Sequence, residues 1–275
     1  MLLRVCVALM FVVGAFAPAQ AAKLTTSPAA PLAIGETFAL DSKVLGELRV
    51  VNVYVPPGYA SGDARYPVLY LLDGGIDEDF PHVAGAVDIS VRNAVIRPLI
   101  VVGLKNVERR RDLLSATDVP DEKKIAPNAG GSDRFRTFLR EELKPLVASR
   151  YRTTNESALI GESFAGLFVM ETLVETPDLF DTYVAVSPAL WWNDRALVKT
   201  MPDKLAAWST PGRRLWLASA GDDVVEATRA AADALRAAKP MSPAWQYEPL
   251  AGEKHATIFP VATLRALRAL FAATP

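Results

Sequence analysis

The chain has 275 residues, the size of one large α/β domain, with 51% hydrophobic and 22% charged residues and a formal net charge of -1. Charge so evenly balanced sets up no strong field of either sign, which argues against nucleic acid or an anionic membrane surface as a partner. The one cysteine is Cys6 and the two histidines are His82 and His255, which excludes any metal site built from three or more histidines.

The N-terminal stretch reads as a leader. Arg4 is its lone charge, residues 5–17 are an apolar run too short to span a bilayer comfortably, and Ala19-Gln20-Ala21 offers the small-x-small pattern that signal peptidase accepts. Residues 1–21 are expected to be a cleaved secretory signal, which places the mature chain in the periplasm or outside the cell; an uncleaved membrane anchor is the alternative. Cys6 falls inside the signal, so the mature chain has no thiol: it suits an oxidising compartment and cannot use a cysteine nucleophile or a thiolate metal site. No later segment offers 18 uninterrupted apolar residues, so no stable membrane insertion is expected after cleavage.

Residues 22–33, rich in Ala, Pro and Thr, read as a flexible lead-in to a single domain over 34–275. Residues 37–40 and 48–55 are strand candidates that form an antiparallel pair, the second ended by Pro56-Pro57-Gly58. The runs 68–72, 99–102, 158–160, 183–186 and 215–218 are nearly all apolar, as strands buried on both faces of a parallel sheet are. Helical patterns lie between them. Phe135, Leu139, Leu143 and Leu146 recur at helical spacing after the N-cap candidates Ser132 and Asp133, with Pro145 expected to kink the helix near its end. Residues 227–237 and 260–271 are further helices. The alternation predicts an α/β fold: a mostly parallel central sheet with helices on both faces and an antiparallel N-terminal strand pair. Residues 105–131 are the exception, a long charged segment expected to be a functional or mobile loop.

The most informative segment is Gly161-Glu162-Ser163-Phe164-Ala165-Gly166, between a strand candidate and a helix candidate over 167–173. That is the setting of a G-x-S-x-G nucleophile elbow, in which the residues two before and two after the serine come so close that only small ones fit. Alanine stands at the second of these positions. The acid and histidine of such a site follow the serine in the order Ser, Asp/Glu, His. Here a strand candidate runs into Gly221-Asp222-Asp223, and Gly252-Glu253-Lys254-His255 precedes the last helix. A serine hydroxyl is a weak nucleophile until a base takes its proton, and imidazole, with an unperturbed pKa of about 6.5, can take it and return it to the leaving group. Ser163 is therefore the candidate nucleophile, His255 the base, and Asp223 the carboxylate that fixes the tautomer. Asp222 and Glu226 compete for the third role, a Ser–His dyad is an alternative, and a helix N-cap before Val224 is the competing role for Asp223. The oxyanion hole needs two backbone N–H groups. Phe164 is expected to supply one. Gly75 or Ile76, after the strand that ends in Asp73-Gly74, is expected to supply the other.

At this point the residues resemble a known family, the Putative esterase family of α/β hydrolases, which holds esterase D-type, feruloyl and siderophore trilactone esterases. The branch of periplasmic enterobactin-type esterases is the most similar. The resemblance covers roughly residues 35–272 through Val53-Tyr54-Val55-Pro56-Pro57-Gly58-Tyr59, Tyr70-Leu71-Leu72-Asp73-Gly74, residues 109–113, the elbow, Ser187-Pro188-Ala189-Leu190-Trp191-Trp192, and Gly252-Glu253-Lys254-His255. It implies an α/β-hydrolase fold and serine-dependent ester hydrolysis without metal or cofactor. It carries Ser163 and His255 over directly and Asp223 less so, since acid placement varies in the family. The expected function is hydrolysis of carboxylic esters of a small extracytoplasmic substrate through an acyl-enzyme on Ser163, with a siderophore lactone as one such substrate. An acyltransferase using the same site and a non-catalytic binding protein of the same fold are the alternatives. Trp191 and Trp192 are candidates for a pocket wall or for core packing. Arg109, Arg110 and above all Arg111 are candidates for an anionic substrate group or for structural ion pairs. His82 is expected to be non-catalytic. The sequence does not set the oligomeric state.

Overall fold

A computed structural model shows one eight-stranded sheet: β1 (Glu36–Ser42), β2 (Glu47–Tyr54), β3 (Tyr66–Leu71), β4 (Ile100–Leu104), β5 (Thr153–Glu162), β6 (Thr182–Val186), β7 (Arg214–Ala220) and β8 (Ala244–Leu250), in the order β1-β2-β4-β3-β5-β6-β7-β8. The structure describes residues 27–207, 210, 212–222, 225–238 and 244–273, so the leader predicted at 1–21 lies outside the described residues. The pairs β1–β2 and β2–β4 are antiparallel, and β3 to β8 run parallel. This is the predicted mixed sheet, and one compact unit extends over Ala33–Pro275. Among the described residues no helix is long and apolar enough to cross a membrane.

The apolar runs are explained by burial on both faces. In β5, Leu159 faces one core cluster while Ala158 and Ile160 face the other; in β4, Ile100 and Val102 are opposed by Val101. One face is covered by α1 (Phe80–Arg92) and the last helix, α9 (Ile258–Leu270). The other is covered mainly by α6 (Phe164–Glu175), α7 (Trp192–Ala206) and α8 (Val225–Ala237). Helix α6 is buried almost all round, so it reads as an apolar block rather than a stripe.

Three expectations need correction. The helix over the Phe135 region is three pieces: α4 (Ser132–Phe138), a π-turn (Leu139–Leu143) and α5 (Lys144–Arg150). Pro145 sits in the first turn of α5, and the wide turn just before it takes up the clash its ring would make with the carbonyl four residues back. Neither Ser132 nor Asp133 caps α4; Gly131 holds that position without a side-chain cap, and Ser132 is already buried in the first turn. Finally, the 105–131 segment is a pinned structure. It contains α2 (Arg109–Leu113) and α3 (Pro120–Ile125), and it inserts two buried carboxylates into the molecule. Asp112 accepts from Arg49 Nη1 at 2.6 Å, and Glu122 accepts from Thr117 Oγ1 at 2.7 Å and from the Asn193 amide at 2.7 Å. Helix α7 is absent from the sequence reading, and so is strand β8. The latter is an edge strand, half exposed along its length, and only an edge tolerates Pro249.

Candidate active site

Ser163 stands between β5 and α6 with φ 60° and ψ -118°, a left-handed backbone that an L-residue rarely adopts. Its N–H donates to Val186 O at 3.0 Å, and its carbonyl accepts from Leu167 N at 2.9 Å and Ala189 N at 3.0 Å. The turn is thus braced by the end of β6 and by Ser187-Pro188-Ala189. Ser187 is itself at φ 38°, fully buried, and its Oγ accepts from Ala220 N at 3.0 Å, which ties the ends of β6 and β7 together. The steric rule of the elbow is visible in the distances. A Cβ on Gly161 would lie 2.6 Å from the Ala165 Cβ and 2.8 Å from its carbonyl carbon. The pair has room for one methyl group and not for two, so Ala165 is compatible with the turn because residue 161 is glycine. Gly161→Ala is expected to cost about 1–3 kcal/mol through overpacking, read as a lower urea midpoint. An unchanged midpoint would mean the elbow yields freely.

The parallel run of β5 to β8 puts the C-terminal ends of these strands on one edge, where ligand sites of open α/β sheets lie. Ser163, the turn after β7 and the turn after β8 share that edge. The last two are joined directly: Gly221 N donates to Glu253 O at 2.9 Å, and His255 N donates to Asp222 Oδ1 at 3.0 Å. Thr257 orders the histidine turn by donating to Glu253 Oε2 at 2.7 Å and accepting from Lys254 N at 3.0 Å. His255 is exposed on this turn. Asp223 lies outside the described residues. Glu226, the more distant competitor, is exposed and engaged by Arg195 Nη1 at 3.2 Å.

Phe164 opens α6, so its N–H has no intrahelical acceptor. On the other side, Gly74 passes so close to β4 that a Cβ there would meet Gly103 Cα at 2.4 Å. Buried Asn52 on β2 holds this loop by donating to Gly74 O at 2.8 Å. The Gly75 N–H, expected to serve the oxyanion hole, instead donates to Glu78 Oε2 at 2.7 Å, because the 75–78 turn folds back on itself. Asn106 Nδ2 bridges Glu78 Oε1 at 2.9 Å and Asp73 Oδ1 at 2.6 Å. Burial, then the charge of Asp73, pushes the neighbouring Asp79 carboxyl up.

The arginines divide. Arg111 is committed to Glu47, at 3.1 Å through Nη1, and to Asp112, at 2.7 Å through Nε, so its expected role with substrate is not supported; it locks the 105–131 segment to β2. Arg110 donates to Ile125 O. Arg109 is the one at the elbow. It forks onto Asp73 with two 2.7 Å bonds, reaches Glu162 O at 3.3 Å, and lies 5.7 Å from the Phe164 ring centroid. The tryptophans divide too. Trp192 is buried and its Nε1 donates to Ser115 O at 2.9 Å, so it is a core brace and not a pocket wall. Trp191 is half-buried, packed on Phe164 at 5.8 Å. His82 is exposed on α1. The sequence reading missed Asn52, Glu78 and Asn106. Asn52, a polar residue between Val51 and Val53 in an apolar strand, was the one with a visible signal.

The family model described as Putative esterase matches residues 42–241. Ferri-bacillibactin esterase BesA of Bacillus subtilis (strain 168) is 33% identical over 171 residues, which is 56% of this chain and 58% of that protein. The Siderophore triacetylfusarinine C esterase of Aspergillus fumigatus is 28% identical over 185 residues, 61% of this chain and 60% of that protein. The matches thus span less than two thirds of these curated relatives. An IroE-like serine hydrolase from Shewanella oneidensis superposes with a TM-score of 0.79 at 27% identity, covering 86% of this chain and 80% of that one.

Proposed function

The chain belongs to the Putative esterase family, and on that premise we propose that it is a serine carboxylic-ester hydrolase acting on a small extracytoplasmic ester, with siderophore lactones as its substrate class. The observation that carries the reading is the backbone of Ser163. Holding an L-residue at φ 60° costs about 1–3 kcal/mol, a strain that a plain strand-to-helix connection has no use for but that presents a hydroxyl at the ligand edge of the sheet.

In this mechanism Ser163 Oγ attacks the ester carbonyl while His255 takes the hydroxyl proton. His255 then returns the proton to the departing alcohol, leaving an acyl-enzyme. Water, deprotonated by the same imidazole, releases the acid and restores the serine. The developing oxyanion meets the Phe164 N–H and a second amide from the 74–76 loop. Since Glu78 takes the Gly75 N–H, that second donor is Ile76, the other candidate from the sequence. The carboxylate that orients His255 comes from Asp222 or Asp223; Asp222 already holds the histidine backbone. The substrate class is supported by the relatives named for siderophore esters, and a periplasmic or secreted location by the leader.

A fluorophosphonate probe followed by peptide mass spectrometry tests the mechanism. One adduct, on the peptide carrying Ser163, is expected, and an adduct elsewhere or none would sink it. A panel setting catecholate trilactones against simple nitrophenyl esters tests the substrate class separately. The lactones are expected to show the higher kcat/KM; preference for the simple esters would remove the substrate class and leave the chemistry standing.

A further inference from the structure

Helix α7 begins with a left-handed turn. Asn193, Asp194 and Arg195 stand in succession at φ 50°, 51° and 60° with ψ 51°, 44° and 31°, a region that residues bearing a Cβ seldom occupy. Asn and Asp visit it singly; three residues in a row, the last an arginine, need an outside hold. Glu122 is that hold. Its carboxylate belongs to a residue only 7% exposed, and it accepts from the Asn193 amide at 2.7 Å, the Asp194 amide at 3.2 Å and Thr117 Oγ1 at 2.7 Å. Successive amides that converge in this way form a nest for an anion. Here the chain fills the nest with its own carboxylate, brought in on α3 from 71 residues away.

The turn adjoins the elbow through Trp191. The Trp191 carbonyl accepts from Arg195 N at 3.1 Å, which closes the turn on one side; on the other, Ala189 N donates to Ser163 O at 3.0 Å. Trp191 is thus clamped between the backbone of the candidate nucleophile and the strained turn. Its half-buried indole lies 5.8 Å from the ring of Phe164, the residue after Ser163. Trp192 has its own anchor at Ser115 O, whereas the direction of Trp191 follows the turn. Strain of this kind persists only where the surroundings over-determine it, and it gathers at binding sites. We propose that Glu122 is a positioning residue for substrate selection: by holding the Asn193 and Asp194 amides it sets the Trp191 indole beside Phe164, where its face takes an aromatic ring of the ester. This deepens the esterase reading and rests on it.

The test is the ratio of kcat/KM for phenyl acetate to that for ethyl acetate, compared between variants of the full chain so that intrinsic ester reactivity cancels. Trp191→Ala and Glu122→Gln should each lower the ratio about tenfold, the loss of about 1.4 kcal/mol, through a higher KM for phenyl acetate with kcat kept. The double variant should lose no more than either single one, because the two act through the same contact. Adding Arg195→Gly to Glu122→Gln should restore most of the ratio, since glycine occupies the left-handed region freely; the Arg195–Glu226 pair that it removes is solvent-exposed and contributes little. Thr117→Val takes one hydrogen bond from the same carboxylate and decides the question if Glu122→Gln does not fold: a lowered ratio supports the inference and an unchanged one overturns it. An equal loss for both esters would reduce Glu122 to a structural role, and additive losses in the double variant would separate it from Trp191; either overturns the proposal, as does an unchanged ratio in Trp191→Ala. A wild-type rate no higher than that of Ser163→Ala would instead end the esterase reading, and this inference with it.

Discussion

Replacement of Ser163 by alanine is expected to lower ester turnover on the order of 10⁵-fold while leaving the fold intact. The argument rests on where the residue's bonds go. Its backbone N–H and carbonyl carry the brace to Val186, Leu167 and Ala189, and these survive substitution. Its side chain makes no capping bond to α6, so its loss removes a nucleophile and little else. Alanine bears the same positive φ as serine, since the strain comes from Cβ and not from the hydroxyl. Residual rate above water would come from the oxyanion donors and from binding. The measurement is a nitrophenyl ester assay paired with a urea melt. Wild-type and variant rates that coincide would end the enzyme reading, whereas a collapsed melt would show that the hydroxyl has a structural task.

The second large effect concerns stability and lies away from the site. Asp112→Ala is expected to cost about 3–5 kcal/mol, near the lower end because one partner remains. Arg49 is 1% exposed and Asp112 2% exposed, so the pair is wholly withdrawn from water. Asp112 answers two arginines, Arg49 at 2.6 Å and Arg111 at 2.7 Å. Without it, the Arg49 guanidinium, wedged 5.2 Å from the Phe135 ring centroid with its Nε unpartnered, keeps only Glu47 at 2.8 Å. Arg49→Met combined with Asp112→Leu should cost less than the single change, since removing both charges leaves no buried ion uncompensated. A shift in the urea midpoint equivalent to less than about 1 kcal/mol for the single variant would place this pair among ordinary surface bridges. The same substitution should loosen α2, and with it Arg109 at the elbow.

Two kinds of information separate in this molecule. Seven of the eight strands, helices α6, α8 and α9, and the place of Ser163 were legible in the sequence because they depend on local chemistry: apolar runs buried on both faces, a glycine that must lack a Cβ at position 161, and an order of serine, acid and histidine along the chain. The elements that escaped depend on partners far away in sequence. Strand β8 pairs with β7 across α8, so its half-polar pattern acquires meaning only at the sheet's edge. The 105–131 segment looks like a charged loop until Arg49 and the 193–194 amides arrive to receive its carboxylates. Arg109 and Arg111 are near neighbours of identical chemistry, yet one meets Asp73 at the elbow and the other Glu47 on β2; Trp191 and Trp192 divide in the same way. Residue type and spacing fix what a side chain is able to do. Which partner it meets is decided by packing, because the desolvation of a buried charge or indole is offset only by whatever group the fold brings within about 3 Å of it.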